Sequence, residues 1–140
     1  MAGPNCTVRS IPMARSIITG PDVMPSAMPF SQIVEANGFV FLAGQCGDVP
    51  GVAGAVPGGI KAETRQMLDN VERLLHAANL DYGDVVQSTV YLRDFADFAD
   101  MNAVYRERFP VDPPTRATVG VTGLAADFRV EIVCVAARRT

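Results

Sequence analysis

Two charged residues stand in segments that are otherwise apolar, and both could take part in chemistry. Arg116 follows a proline-rich turn at residues 113–115 and precedes residues 117–119, whose composition is typical of a strand. Its planar guanidinium can bind a small carboxylate through two parallel hydrogen bonds and does not lose its charge. An arginine at the start of a strand can also simply face solvent, and the sequence leaves that alternative open.

Glu131 lies inside the apolar run of residues 130–136, and alternation places it on the same face as Arg129, Val133 and Val135. A carboxylate in such a run marks either a solvated face or a functional site. Partial burial would raise its pKa and suit proton transfer, whereas a nearby arginine would lower that pKa. The two effects oppose each other, so the protonation state of Glu131 stays open.

Several other kinds of chemistry lack the residues that they require. The single histidine, His76, falls on the polar face of a predicted helix, which favours a solvent-facing role. A Ser-His-Asp or Cys-His catalytic arrangement would depend on His76, and a histidine-rich metal site is excluded. The Gly-rich segment 44–59 has neither the G-K-[ST] ending of a phosphate cradle nor a G-x-G-x-x-G pattern. The sequence therefore predicts no metal and no tightly bound cofactor.

The three cysteines, Cys6, Cys46 and Cys134, show no C-x-x-C spacing, which argues against a disulfide framework and a zinc ribbon. Cys46 lies in the Gly-rich segment without a nearby base, so an ordinary thiol is favoured over a reactive one. Cys134 alternates with apolar residues on a predicted strand and is interpreted as a core thiol.

The composition is that of one folded domain: 140 residues, of which 49% are hydrophobic and 19% charged. The net charge of -3 and the absence of a basic stripe argue against a nucleic-acid partner. We recognise neither a signal peptide nor a run of apolar residues long enough for a membrane span. A reduced cytoplasm is the expected location.

The elements that must position these residues follow the order β-β-β-α-β-α-β-β. The Asn37-Gly38 pair predicts a type I′ hairpin turn between the second and third strands. Residues 1–14 are interpreted as a loose arm and residues 44–59 as a loop. The order predicts a single α+β domain, with a mixed six-stranded sheet and two helices on one face. Strands are expected at 16–19, 31–35, 39–43, 85–92, 115–122 and 129–137, and helices at 60–78 and 95–109.

Nine short segments, in order from Pro29 to about Ala137, together resemble the RidA/YjgF family, also called the L-PSP endoribonuclease-like family. Each segment is weak alone, but their common register over most of the chain is specific. The segments are Pro29-Phe30-Ser31-Gln32, Ala43-Gly44-Gln45, Asp69-Asn70, Gly83-Asp84-Val85-Val86, Thr89-Val90-Tyr91-Leu92, Asp97-Phe98, Asn102-x-x-Tyr105-x-x-x-Phe109, Pro114-Thr115-Arg116 and Val130-Glu131-Ile132.

This resemblance implies a chorismate-mutase-like fold and a homotrimer with three clefts between subunits. It also implies a cofactor-free deaminase that hydrolyses reactive imines and enamines, such as 2-aminoacrylate, to 2-keto acids and ammonia. By the same resemblance, Arg116 grips the substrate carboxylate and Glu131 positions or activates water. The other substrate-binding positions implied in this way are Gly44, Asn102 and Thr118.

Two further pocket positions depart from the family pattern. Many active members have Tyr where Phe30 stands and Ser where Ala43 stands, so two hydroxyls are missing. This pocket is therefore expected to be more apolar and to favour a bulkier imine, or to have lost part of its activity. That departure supports an alternative function: a trimer of the same fold that binds a carboxylate ligand without catalysis. An endoribonuclease is the weaker third possibility because the chain is acidic.

Overall fold

A computed structural model describes residues 15–140, and the expected loose arm of residues 1–14 lies outside the described residues. This part of the chain forms seven strands and two α-helices. The strands are β1 (Arg15–Ile17), β2 (Ile33–Ala36), β3 (Phe39–Leu42), β4 (Gln45–Cys46), β5 (Val85–Leu92), β6 (Thr115–Gly120) and β7 (Val130–Ala137), and the helices are α1 (Gly59–Ala77) and α2 (Phe98–Arg108).

The strands form one mixed sheet in the order β1-β2-β3-β7-β5-β6, and β4 pairs with β7 beyond the end of β3. All pairings are antiparallel except β5 with β6, which are parallel because α2 connects them. The predicted hairpin turn joins β2 to β3, with Asn37 at φ 53° and Gly38 at φ 80°. Strand β6 is an edge strand, which places Arg116 at the rim of the sheet.

Both helices cover the same face of the sheet, as the sequence predicted. Helix α1 buries a stripe that recurs every three or four residues, and it ends at Ala77, just before Asn79 turns to φ 57°. The core residues of the central strands point toward the helices and are fully buried, among them Val90, Ile132 and Cys134. The interpretation of Cys134 as a core thiol is thereby confirmed.

Two predicted boundaries were wrong for local reasons. The side chain of Asp94 accepts a hydrogen bond from the Ala96 N–H at 2.9 Å and so caps the 3₁₀ segment Phe95–Asp97. Helix α2 therefore begins at Phe98, not at residue 95. The predicted loop 44–59 contains strand β4, so the sheet has seven strands instead of six. Two residues are too few for alternation to reveal a strand in the sequence.

The face of the sheet opposite the helices carries large apolar side chains that are only partly covered. Phe39, Phe41 and Val119 are 46%, 45% and 40% exposed. Phe39 and Phe41 alternate with buried Val40 and Leu42, and Val119 alternates with Thr118 on the edge strand. An apolar sheet face of this kind marks an interaction surface more often than a solvated one. Within residues 15–140, no helix combines the length and hydropathy needed to cross a membrane.

Candidate active site

The guanidinium of Arg116 lies over aromatic rings of helix α2. Its Cζ atom is 4.6 Å from the centroid of the Tyr105 ring and 5.8 Å from that of Phe98. Such cation–π contacts hold the flat face of the guanidinium while leaving its N–H groups free to donate in the plane. Within residues 15–140, no carboxylate lies at salt-bridge distance from Arg116. This arginine is therefore fixed in place and lacks an internal anion.

Tyr105 is itself held by strand β5. Its hydroxyl shares a 2.8 Å hydrogen bond with the Ser88 Oγ atom, and both residues are buried. Burial raises the pKa of the Tyr105 phenol above its ordinary value, so the ring stays neutral at physiological pH. Ser88 is also the register partner of Arg116 on β6. One strand thus supports both the arginine and the ring beneath it.

A cavity of about 240 Å³ opens beside this arginine, lined by Arg116, Asn102, Tyr105 and Arg106 together with prolines of the preceding turn. Thr118 follows Arg116 by two residues on the same face of β6. Its Oγ1 atom is buried and has no hydrogen-bond partner within the described residues. We call Arg116, Asn102, Tyr105 and Thr118 the Arg116 half-site, a set of donors suited to a small anion.

Glu131 lies in the middle of β7, where it pairs with Tyr91 on one side and with Cys46 on the other. Its carboxylate occupies the space that a side chain at Gly44 would fill. A Cβ atom built on Gly44 would lie 2.1 Å from Glu131 Oε1, so only glycine permits this approach. A second cavity of about 380 Å³ is lined by Glu131 and Gly44 with three residues that we group with them as the Glu131 half-site: Phe30, Ser31 and Ala43.

Cys46 is the neighbour of Glu131 on strand β4. Burial, followed by the negative charge of Glu131, raises the pKa of the Cys46 thiol to about 12. The thiol therefore stays protonated at neutral pH beside its register partner Glu131. This agrees with the sequence-based interpretation of an ordinary thiol, since the thiolate needed for nucleophilic attack does not form.

Strand β4 and the segment after it are tied to helix α1. Asn70 donates through its side-chain amide to the carbonyls of Cys46, at 2.9 Å, and Asp48, at 2.8 Å. Buried Glu63 accepts from the backbone N–H of Arg129 at 2.6 Å, just before β7 begins. These side chains fix the position of the Glu131 half-site. Both lie in the helix predicted at 60–78, and the sequence did not indicate these contacts.

One chain does not bring Arg116 and Glu131 together. Arg116 contacts α2 and so lies on the helix-covered face of the sheet. Glu131 pairs with Tyr91 and is one residue away from buried Ile132, so it faces the opposite side. Each half-site is formed within the chain, but the two halves are separated by the sheet. Among the described residues, no group of three His, Cys, Asp or Glu side chains could hold a metal ion.

Comparison with known proteins places this arrangement in a family. The model of the family described as Endoribonuclease L-PSP matches residues 22–138. A RutC family protein of Pyrococcus horikoshii is 44% identical over 108 residues, which cover 77% of this chain and 86% of that protein. The chain belongs to the RidA/YjgF family.

RidA/YjgF relatives with more specific names match over similar lengths. The 2-iminobutanoate/2-iminopropanoate deaminase of Bos taurus is 36% identical over 124 residues, covering 89% of this chain and 90% of that enzyme. The solved structure of E. coli TdcF with bound serine superposes with a TM-score of 0.80 at 34% identity, covering 89% of this chain and 99% of that one. The fold expected from the resemblance is confirmed.

The residues expected from the RidA/YjgF resemblance fall into the two half-sites. Arg116, Asn102 and Thr118 lie in the first. Glu131 and Gly44 lie in the second, together with the two departures, Phe30 and Ala43. The sequence did not indicate that the Tyr105 ring lies beneath Arg116 or that Ser31 lines the Glu131 cavity. Among the described residues, the wall of the Glu131 cavity has one hydroxyl, that of Ser31.

Proposed function

We propose that this protein hydrolyses reactive 2-imino and 2-enamino acids of the 2-aminoacrylate type to 2-keto acids and ammonia, without a cofactor. The observation that carries this proposal is the state of Arg116. Its guanidinium is held against Tyr105, opens to a small cavity and has no carboxylate partner within residues 15–140. An arginine fixed in this way is suited to bind the carboxylate that every 2-imino acid carries.

The relatives support the same substrate class. The cattle relative is named for two small imino acids, 2-iminobutanoate and 2-iminopropanoate. The E. coli relative TdcF binds serine, a small molecule with a carboxylate beside a nitrogen. Both ligands fit a site with one permanent cation and a few neutral donors, which is the chemistry of the Arg116 half-site.

We further propose that each active site forms between two copies of the chain in a homotrimer. Arg116 lies at the rim of the sheet on edge strand β6, where a neighbouring copy can approach. Glu131 lies on the open sheet face, beside the apolar side chains that solvent partly reaches. Contact between the rim of one copy and the open face of the next would join the half-sites and bury Phe39 and Phe41.

In this joined site, Arg116 binds the substrate carboxylate and Asn102 contributes a further polar contact. Glu131 orients a water molecule and accepts one of its protons as the oxygen adds to the imine carbon. The same carboxyl group gives that proton to the imine nitrogen, which completes a carbinolamine. The hydroxyl proton of the carbinolamine then moves to the nitrogen through the Glu131 carboxylate, the C–N bond breaks as the C=O bond forms, and ammonia leaves with a 2-keto acid as the second product. The imine hydrolyses spontaneously in water, so positioning and proton transfer by a few groups suffice for useful acceleration.

A second function is favoured by one observation about the Glu131 cavity. Ser31 and Glu131 bear the only hydroxyl and the only carboxylate among the residues that line it, because Phe30 and Ala43 lack hydroxyls. A trimer that keeps Arg116 but holds water poorly would bind a carboxylate ligand and release no ammonia. The endoribonuclease name of the family model does not extend to this chain in our proposal, because the net charge is -3.

The test is a coupled assay. A pyridoxal-phosphate dehydratase generates 2-aminoacrylate or 2-aminocrotonate in place, and imine decay and keto-acid release are followed with wild type, Arg116→Ala and Glu131→Ala. Arg106→Ala is the matched control, since Arg106 lines the same cavity but is not assigned to the substrate. Acceleration by wild type and Arg106→Ala that vanishes in the other two variants supports the deaminase. Tight keto-acid binding by a trimer that accelerates neither substrate would instead establish the binding protein.

A further inference from the structure

A third cavity adjoins the Glu131 half-site and is larger than either half-site cavity, at about 530 Å³. Phe30 and Ser31 line both this cavity and the one that contains Glu131, so the two spaces meet at these residues. Strand β1 and the segment after it form the remaining wall, through Ile17, Gly20 and Val23 among others. We call this space the β1 groove.

The wall of the β1 groove is neutral. None of the described residues that line it is ionisable, and its apolar side chains include half-exposed Ile17 and Phe30. A charged or strongly hydrated group would lose its water here without gaining a partner of opposite charge. The groove is therefore suited to an uncharged, apolar substituent.

Three polar groups of this wall already have hydrogen-bond partners within the chain. The Ile18 N–H donates to Ile33 O at 3.2 Å, and the Val23 N–H donates to Gly20 O at 3.0 Å. Ser26 Oγ accepts from the Met28 N–H at 3.0 Å. The polar groups of the wall are neutral, so recognition of a substituent here would rest on shape and apolar contact instead of charge.

We infer that the β1 groove binds the side chain of the substrate, and that the preferred substrates are 2-imino acids with a branched aliphatic or aromatic side chain. This inference rests on the proposed deaminase function and specifies its substrate class. The imine carbon must lie near Glu131, and the substituent on that carbon then extends past Phe30 into the groove. Phe30 and Ala43 lack hydroxyls, so the path from Glu131 to the groove is apolar at these two positions.

Gly20 offers a way to fill the groove without straining the fold. It has an ordinary φ, and a Cβ atom added to it would meet no atom within 4 Å. The same holds for Gly123, which lies in the loop between β6 and β7 and lines none of the three cavities. Gly20→Leu therefore blocks the groove, and Gly123→Leu is a matched control with the same added volume.

The experiment compares small and large imines generated by an L-amino-acid oxidase with catalase present, and follows imine survival by trapping with semicarbazide. The substrates are the imino acids from alanine, leucine and phenylalanine, tested on wild-type, Gly20→Leu and Gly123→Leu trimers of equal melting temperature. Each buried methylene contributes roughly fourfold in kcat/KM, the equivalent of about 0.8 kcal/mol. We expect wild type to prefer the leucine and phenylalanine imines by at least about tenfold.

The ratio of large-imine to small-imine kcat/KM should fall at least about tenfold in Gly20→Leu and stay unchanged in Gly123→Leu. Acceleration of the alanine imine without a preference for the large ones would overturn the side-chain assignment while leaving the deaminase intact. The same conclusion would follow from a ratio that Gly20→Leu does not change. If wild type accelerates none of the three imines, the proposed function fails, and the assignment of the groove fails with it.

Discussion

The two half-sites are built in contrasting ways. The Arg116 half-site stands on regular elements: strand β6 carries the arginine, and helix α2 supplies the ring beneath it. The Glu131 half-site has one residue on a strand, while Phe30, Ser31, Ala43 and Gly44 come from irregular segments around β2 and β3. In the proposed site, the regular half would bind the carboxylate that all 2-imino acids share. The irregular half would face the part in which such substrates differ, and irregular segments tolerate sequence change better than packed elements do.

The largest expected effect is that of removing the arginine. Arg116→Ala should lower kcat/KM for 2-iminopropanoate by about 10³-fold, because the substrate loses both its anchor and its orientation. Steady-state kinetics with the coupled assay measures this. Arg116→Lys should recover only part of the loss, since an ammonium cannot make the paired contacts of a guanidinium. Full activity in Arg116→Ala would show that Arg116 does not bind the substrate.

The second largest effect tests the Glu131 half-site by substitution of Gly44. Gly44→Ala should lower kcat/KM by about 10²-fold, because a Cβ atom would lie 2.1 Å from Glu131 Oε1 and turn the carboxylate away. Gly123→Ala is the control, as its Cβ would meet no atom within 4 Å. The melting temperature should change little, since the clash is with the end of a side chain. Unchanged kinetics in Gly44→Ala would mean that the orientation of Glu131 is unimportant.

Much of this arrangement could be predicted from the sequence, because the signals involved act over a few neighbouring residues. Arg116 and Glu131 stood out because charge is unusual in strand-like apolar runs. The Asn37-Gly38 turn and strand β5 were predicted because turn chemistry and β-branched composition act over a few residues. The prediction of β5 as residues 85–92 matches its observed bounds, Val85–Leu92.

The rest depends on how elements pack, which a short window cannot reveal. The sequence places Tyr105 in the helix predicted at 95–109. Its ring lies beneath Arg116 only because α2 crosses over β6. Strand β4 has two residues and no detectable period. The separation of Arg116 from Glu131 follows from strand order and register together. The family resemblance supplied the expectation of clefts between subunits, which the separation of the two half-sites supports but does not test.

A smaller effect is expected from removing the hydroxyl that positions Tyr105 in the Arg116 half-site. Tyr105→Phe keeps the ring under the guanidinium but removes the 2.8 Å hydrogen bond to Ser88 Oγ. We expect activity to stay within about threefold and the free energy of unfolding to fall by about 1–2 kcal/mol, because a buried hydroxyl loses its partner. Urea denaturation measures the loss. In a double-mutant cycle with Ser88→Ala, the two losses should be less than additive, and full additivity would contradict direct coupling.

The smallest effect concerns Cys46 beside Glu131. Because its pKa is raised to about 12, the thiolate is scarce near neutrality and its fraction grows about tenfold per pH unit until the pH approaches 12. Alkylation of Cys46 by iodoacetamide in the folded protein should be slow at pH 7 and rise steeply at alkaline pH. Mass spectrometry of the peptide containing Cys46 measures it. Rapid labelling at pH 7 would show that the thiol is neither buried nor protonated as described.

The central claim, that one site needs Arg116 from one copy and Glu131 from another, has a direct test. Arg116→Ala and Glu131→Ala trimers are each assayed alone, then mixed in equal amounts under conditions that exchange subunits, with exchange verified by native mass spectrometry. If the sites lie between copies, random mixing makes about one quarter of the sites intact, so activity should return to about one quarter of wild type. Mixed trimers that remain as inactive as their parents would contradict the claim and place both residues in the same subunit's site.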